Sequence, residues 1–321
     1  MARIIGLNHF QIKGNGSPAN LKECKVYKNG LQQFQVDIVI DAYAEGGVLV
    51  PLSKDQLESV RLINYASGAN VESFFLRTET KNKYDFYPES LLQDNASSKQ
   101  SMSTITFYLA LPSTANFDSV QIAAEIELDG ATYRTNAHNA DAGGHFNNGG
   151  FNSSLIVKSV VPYILRAANF SITKGFKLDI IGYPGYTGGE RVLILWTISL
   201  PGFRILSSDI SDNNPIPWFS QYVQSQNDLK TGHFALPIRP ANSQIYLGWQ
   251  RNGDSTSKDP LISPYLRDGD AYAIIEESHS FQIHDYKPKH ISYYDNNGCM
   301  HSIVLRPNNN GTTFQIDDNR R

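Results

Sequence analysis

Period-two alternation runs through most of the chain. The clearest case is QFQVDIVIDAY, residues 33–43. Phe34, Val36, Ile38, Ile40 and Ala42 fall on one side, Gln35, Asp37 and Asp41 on the other, and Val39 is the exception. Successive side chains of a strand point to opposite faces, so this spacing predicts a half-buried strand with one wet face. Just before it, Asn29-Gly30 supplies a dipeptide that accepts positive φ. That predicts a hairpin in which residues 24–28 pair with residue 32 onward.

A second hairpin is predicted at Asp129-Gly130, with strands over 120–128 and 131–135. On its first strand, Ala124, Ile126 and Leu128 share the apolar face and Glu125 and Glu127 the wet one. A third hairpin turns at Asn296 to Gly298. Further strands are predicted over 103–111, 153–161, 176–183, 191–200, 244–250 and 271–286. Ile194 and Trp196 lie in the most apolar of these and are expected in a core, as are Ile38 and Ile40. His279, with Phe281 and Ile283, forms one face of the last strand and reads as a satisfied, half-buried side chain.

Helix signals are sparse. Ser53 with Gln56 three residues later forms a capping-box pattern, predicting one or two turns over 53–60, and 162–170 is a second short candidate. No segment sustains a 3.6-residue period. The fold class expected is all-β, with two or three antiparallel β-sandwich-like domains and short helices only in connections. Two polar, weakly patterned stretches, 81–103 and 207–232, read as linkers. They divide the chain into an N-terminal β domain (1–85), a central β-sandwich (100–205) and a C-terminal β domain (230–321).

Composition narrows the functional classes. Charged residues make up 18% of 321, below the usual quarter. Asn, Ser and Thr fill the gap, which suits strands and turns better than solvated helices. A net charge of −3 implies no basic face and no nucleic-acid partner. No apolar run is long enough for a membrane span, and the apolar part of the N-terminus, Ile4 to Leu7, is too short for a signal-peptide core. The expectation is cytoplasmic synthesis, after which the protein either stays inside or leaves by lysis or a dedicated export machine. Cys24 and Cys299 are expected as reduced, packed thiols.

Three groups of residues could carry chemistry. TNAHNADAGGHFNNGG, residues 135–150, places His138, Asp141 and His145 at H-x2-D-x3-H spacing. Two imidazoles and a carboxylate could hold zinc or iron, but they sit on a glycine-rich segment without the i, i+4 spacing that would hold two ligands together. An exposed connection without metal is the expectation. Tyr183 and Tyr186, in GYPGYTGGER, could stack on sugar rings or fill a partner's pocket, as could Trp218 and Trp249 near loops. Cys299 and His301, two apart on a strand, share a face and read as a packing pair. No nucleophile elbow, catalytic cysteine signature or phosphate-cradling loop occurs, and no cofactor is implied.

The reading that follows is a non-enzymatic β-sandwich protein. It would be a subunit of a self- or hetero-assembled particle such as a virion, fibre or toxin-type component, with other protein subunits as partners and a homo-oligomer as the expected state. A glycan- or surface-binding module is the alternative. A metal-dependent hydrolase working through the His138 loop comes third.

Overall fold

In the computed structural model the described residues are 3–14, 22–87, 102–136, 151–180, 191–210, 218–220, 230–236, 267–278, 289–307 and 313–319. The chain divides into two compact units, Met1–Pro162 and Tyr163–Arg321.

Unit 1 is a two-sheet sandwich. Its strands are β1 (Ile4–Gly14), β2 (Glu23–Tyr27), β3 (Gln33–Ala44), β4 (Leu49–Val50), β5 (Arg61–Asn64), β6 (Leu76–Thr78), β7 (Ser103–Ala110), β8 (Ser119–Leu128), β9 (Ala131–Arg134) and β10 (Leu155–Val160). One sheet has the order β1-β3-β7-β6 with β4 also on β3, and the other has β2-β10-β8-β5 with β9 also on β8. The β2–β10 pair is parallel, and every other strand pair among the described residues is antiparallel.

β3 follows the expected alternation over its length. Phe34, Val36, Ile38, Ile40 and Ala42 are buried, while Gln35, Asp37, Val39 and Asp41 are half-exposed on the other face. The buried line meets Val26, Leu62, Ile122, Ile126 and Val157 of the facing sheet in one core. β8 behaves likewise: Ile122, Ala124, Ile126 and Leu128 are inside, and Glu125 pairs with Arg134 across the β8–β9 hairpin at 2.6 Å. That hairpin turns where expected, with Asp129 at φ 47° and Gly130 at φ 85°, the doubly left-handed geometry of a type I′ turn.

The first predicted hairpin is not one. Gly30 does adopt positive φ, at 73°. β2, however, belongs to the sheet opposite β3, where it runs parallel to β10. The Asn29-Gly30 corner therefore carries the chain from one sheet to the other. Asn29 Oδ1 accepts the amides of Leu31 and Gln32, both at 2.9 Å, and the Gly30 amide donates to Leu111 O at 2.8 Å. An Asn-Gly pair specifies backbone dihedrals and is silent on which strands pair.

The short helix α1 (Lys54–Glu58) forms with the expected reciprocal cap: Ser53 Oγ accepts the Gln56 amide and Gln56 Oε1 accepts the Ser53 amide. The second candidate reduces to one 3-10 turn at Ala167–Asn169.

Unit 2 repeats the two-sheet principle. Its strands are β11 (Ser171–Ile180), β12 (Arg191–Ser199), β13 (Ile205–Ile210), β14 (Trp218–Ser220), β15 (Lys230–Leu236), β16 (Ala271–Ser278), β17 (Lys289–Asp295), β18 (Met300–Pro307) and β19 (Phe314–Asp318). They form sheets ordered β11-β12-β16-β15-β14 and β13-β17-β18-β19. Ile194, Trp196 and Ile198 of β12 pack with Ile291, Tyr293, Ile303 and Leu305 of the second sheet.

The structure divides the chain differently from the three-way reading. Strands from 1–85 and from 100–160 share both sheets of unit 1, and residues 163–205 build unit 2 together with 230–321. The stretch 207–232 contains most of β13, all of β14 and the start of β15, and 81–87 is tied to the unit 1 core. Polar composition marks wet faces and edge strands as readily as linkers. The strand predicted over 244–250 and the part of the 271–286 strand carrying His279, Phe281 and Ile283 lie outside the described residues. No helix among the described residues is long and apolar enough to cross a membrane.

Ile40 is fully buried between the two sheets of unit 1. Ile40→Ala is expected to cost about 2–4 kcal/mol, from lost transfer energy and an unfilled cavity. Urea unfolding measures it, and a loss below about half a kilocalorie would contradict this packing.

Candidate functional site

His138, Asp141, His145, Tyr183, Tyr186 and Trp249 lie outside the described residues. Trp218 opens β14 opposite Phe234 of β15, and only its backbone is described. Among the described residues no group of three His, Cys, Asp or Glu is placed to hold a metal ion. The chemistry in view is therefore elsewhere: one buried polar network in unit 2 and two exposed regions of unit 1.

The network centres on Asp295, at the end of β17. Its carboxylate is fully buried. Oδ1 accepts the amides of Asn297 at 2.8 Å and Cys299 at 3.0 Å, which closes the β17–β18 turn with Gly298 at φ 73°. Oδ2 accepts from the Tyr163 hydroxyl and lies 3.0 Å from His301 Nε2. Asn297 Nδ2 donates to the Tyr163 oxygen at 3.0 Å. The Leu165 amide donates to His301 Nδ1 at 3.1 Å, so the hydrogen-bond pattern assigns the ring proton to Nε2, facing Asp295. The His301 ring is stacked on Tyr163, centroids 5.6 Å apart, with Phe170 edge-on at 6.5 Å.

This corrects the reading of His301 as a packing partner of Cys299 alone. The thiol lies in the turn before β18, and the imidazole is committed to Asp295 and to the Leu165 amide. Asp295, Cys299 and His301 each have zero exposure, so no substrate reaches them. Asp295 accepts four hydrogen bonds, and His301 is bonded at both ring nitrogens. A buried carboxylate is tolerated when its lone pairs are satisfied in this way. The network is a pin that ties the first residues of unit 2 to the β17–β18 hairpin. Nothing in the sequence announces it, because Tyr163 and Asp295 are 132 positions apart.

Both cysteines are buried thiols, and burial pushes the Cys24 thiol well above its ordinary value, which disfavours the reactive thiolate. In unit 2 a shallow cleft of about 530 Å³ lies between the 3-10 turn and β17–β19. Its polar groups are already engaged: Arg306 pairs with Asp317 at 2.9 Å, and His290 Nδ1 lies 3.0 Å from Asn319 Oδ1.

The exposed regions lie in unit 1. The first is the edge strand β6, all three of whose residues are exposed. It ends its sheet, and Phe74, two residues before it, is 41% exposed while Leu76 within it is 49% exposed. Phe74 rests on Phe117 at 5.8 Å, and Arg77 lies over the Phe107 ring at 3.7 Å. The second is the segment 81–87, where Lys25, Lys81 and Lys83 sit over aromatic rings.

No family model and no curated protein matches the chain. Among solved structures, it is similar to the C-terminal domain of the antigen I/II polypeptide BspA of Streptococcus agalactiae. The identity is 8% over 96% of this chain and 99% of that one, with a TM-score of 0.21. The C-terminal domain of AspA, an antigen I/II-family protein of Streptococcus pyogenes, gives 9% identity over 97% and 100%, with a TM-score of 0.23. A chain from the complex of Dpr2 Ig1-Ig2 with DIP-Theta Ig1-Ig3 gives 10% over 96% and 98%, with a TM-score of 0.20. Likenesses at these TM-scores say nothing about what this chain does. The strand orders and the two cores stand by themselves as the basis of the fold.

Two outcomes are expected from the network. Asp295→Ala strips the acceptor from two buried amides, a tyrosine and a histidine, and is expected to cost about 3–5 kcal/mol, read from the urea midpoint. Desolvation raises the hydroxyl pKa of Tyr163 and of Tyr293. Above about pH 10 the unfolded chain loses these protons while the folded chain keeps them. The unfolded state then binds fewer protons, so stability declines as pH rises. Urea titrations on either side of pH 10 should show the decline, and Tyr163→Phe should make it shallower.

Proposed function

We propose that this chain is a non-enzymatic interaction protein that associates with a second copy of itself through the edge strand β6 of unit 1. The observation that carries the reading is the open apolar edge at Phe74 and Leu76. An edge strand presents unpaired amides and carbonyls, and proteins normally blunt such edges with charge, proline, bulges or a covering loop. Here the outward side chains include a large aliphatic residue half exposed to water. Two copies related by a twofold axis would place β6 against β6 and continue both sheets, burying Leu76 and Phe74 in one isologous contact. The low charge of the chain, −3 over 321 residues, adds little long-range repulsion against such an approach.

Three further features support the reading. Both units are β-sandwiches with continuous apolar cores. Among the described residues, Asp295, Cys299 and His301 at the centre of the polar network have zero exposure. The shallow cleft of unit 2 is lined by polar groups that are paired with one another. A closed twofold contact makes a dimer; membership of a virion, fibre or toxin-type particle would need a second, non-closing contact.

Sedimentation equilibrium over a wide concentration range tests this. The parent chain is expected to gain mass with concentration, and the double substitution Phe74→Ser with Leu76→Lys to stay monomeric while melting at the parent temperature. A parent chain that remains monomeric throughout would defeat the reading.

A further inference from the structure

β6 is short because both its flanks turn away. Before it, the chain leaves a single 3-10 turn, Glu72–Phe74, and the Phe75 amide donates back to Glu72 O at 3.1 Å. Phe75 is then buried against Phe34 and Phe117. After it, Thr80 O accepts from Thr78 Oγ1 at 2.9 Å and from Gln33 Nε2 at 3.4 Å, which draws the chain off the edge. Leu76, Arg77 and Thr78 lie along the edge, opposite Ala110, Leu109 and Tyr108 of β7.

A twofold contact at this edge has few registers open to it. Residues directly opposite in an antiparallel pair point to the same face of the sheet. A twofold axis normal to the sheet leaves the faces unchanged, so some residue must face its own counterpart across the axis. Centring on Leu76 would bring Phe75 into the ladder, against its turn and its place in the core. Centring on Thr78 would set Arg77 against Glu79, an opposite-charge pair, but would need Glu79 and Thr80 straightened out of the bend. Centring on Arg77 pairs all three strand residues, with Leu76 opposite Thr78, and leaves both flanks as they are.

Two arginines directly opposite each other repel. Here each is already engaged within its own chain. Arg77 Nη1 lies 3.2 Å from Glu72 Oε1, and the guanidinium lies 3.7 Å over the ring of Phe107, which is buried. Glu72 is itself fixed, its amide donating to Asn70 Oδ1 at 2.8 Å. We propose, resting on the β6 association, that a second copy joins β6 in this one register, with Arg77 facing its own counterpart on the twofold axis and Glu72 the residue that lets the two arginines meet.

Single cysteines read the register. Residues facing each other across an antiparallel pair have Cα atoms about 4.5–5.5 Å apart, within the span of a disulfide, whereas diagonal neighbours are about 7–8 Å apart. On mild oxidation at concentrations where the parent is dimeric, Arg77→Cys is expected to form a disulfide-linked dimer, and Leu76→Cys and Thr78→Cys to do so only when mixed with each other. The mixture keeps Arg77, so it decides the register even if Arg77→Cys disturbs the cover of Phe107. The native cysteines are buried, and the parent chain serves as the blank. Glu72→Gln is expected to raise the dimer dissociation constant severalfold in sedimentation, with a melting temperature close to that of the parent. A monomeric parent would defeat the association and this register with it. A dimeric parent whose Leu76→Cys or Thr78→Cys variant links to itself, whose mixture gives no product, or whose Glu72→Gln variant associates as tightly would overturn this proposal and leave the association standing.

Discussion

The inward face of β3 sets the terms for unit 1. Val36, Ile38 and Ile40 have zero exposure, and Phe34 and Ala42 extend the line at either end. A strand with such a face must be central, covered by a second sheet and paired on both edges. β1 and β7 supply the pairing over most of its length, and β2, β5, β8 and β10 supply the cover. A slip of one residue would turn the whole line to water, so register is strongly held. The outward face then has to be polar and satisfied. Asp37 shows how: Gln35 Nε2 donates to it at 2.9 Å and Thr106 Oγ1 at 2.6 Å, both from the same wet face.

That dependence explains what could be read from the sequence. Alternation is a local property, so the strands of β3 and β8 and the faces of Ile40 and Ile126 were legible. So were the Asp129-Gly130 hairpin and the Ser53 cap, in which both partners lie within a few residues. Pairing between distant segments is not local. Asn29-Gly30 specified its corner but not the jump between sheets, because β2 takes its partner from β10, more than a hundred residues later. The division of the chain failed to show for the same reason: β7, β8 and β10 complete sheets begun by β1 to β5. Of the exposed regions of unit 1, the aromatic and lysine types of 81–87 were visible, but a polar run with no period gives no sign that Gln33 and Leu31 will hold it still. The residues expected to bind, Tyr183, Tyr186, Trp218 and Trp249, are not among those whose side chains are described.

Unit 2 handles a related problem with different means. Its β17–β18 turn needs two buried amides satisfied, and Asp295 satisfies both. The second carboxylate oxygen then needs donors, and Tyr163 and His301 provide them. The chain of requirement continues through His301 Nδ1 to the Leu165 amide, which couples the turn to the segment at 163–165. Each group in such a network is costly if left alone and cheap if every partner is present, which gives specificity to a core that apolar packing alone would leave more permissive. Tyr293 shows the other outcome. Its hydroxyl is buried without a hydrogen-bond partner among the described residues, and desolvation alone raises its pKa.

The two edges of the β3 sheet bear on assembly through their difference. β1 is the longer edge, 11 residues, and it is guarded. Its register breaks twice, between Ile4 and Gly6 and between Leu7 and His9, which bends the strand away from a flat template. Its outer backbone is also taken: Asp129 Oδ2 accepts the Ile4 amide at 2.7 Å, and the Ser153 hydroxyl both accepts from Ile12 N at 3.1 Å and donates to Ile12 O at 3.2 Å. β6 shows no irregularity of register, and all three of its residues are exposed: it carries Leu76 beside one charge, Arg77, which is paired with Glu72 at 3.2 Å. Guarding one edge this closely makes random edge-to-edge pairing unfavourable there. In the dimer proposed above, the short β6 edge of this sheet would be the one that pairs, and its three residues would limit the contact to a specific, flanked one rather than an open-ended one. On that proposal, one closed edge and one small open one would favour a dimer over a fibre.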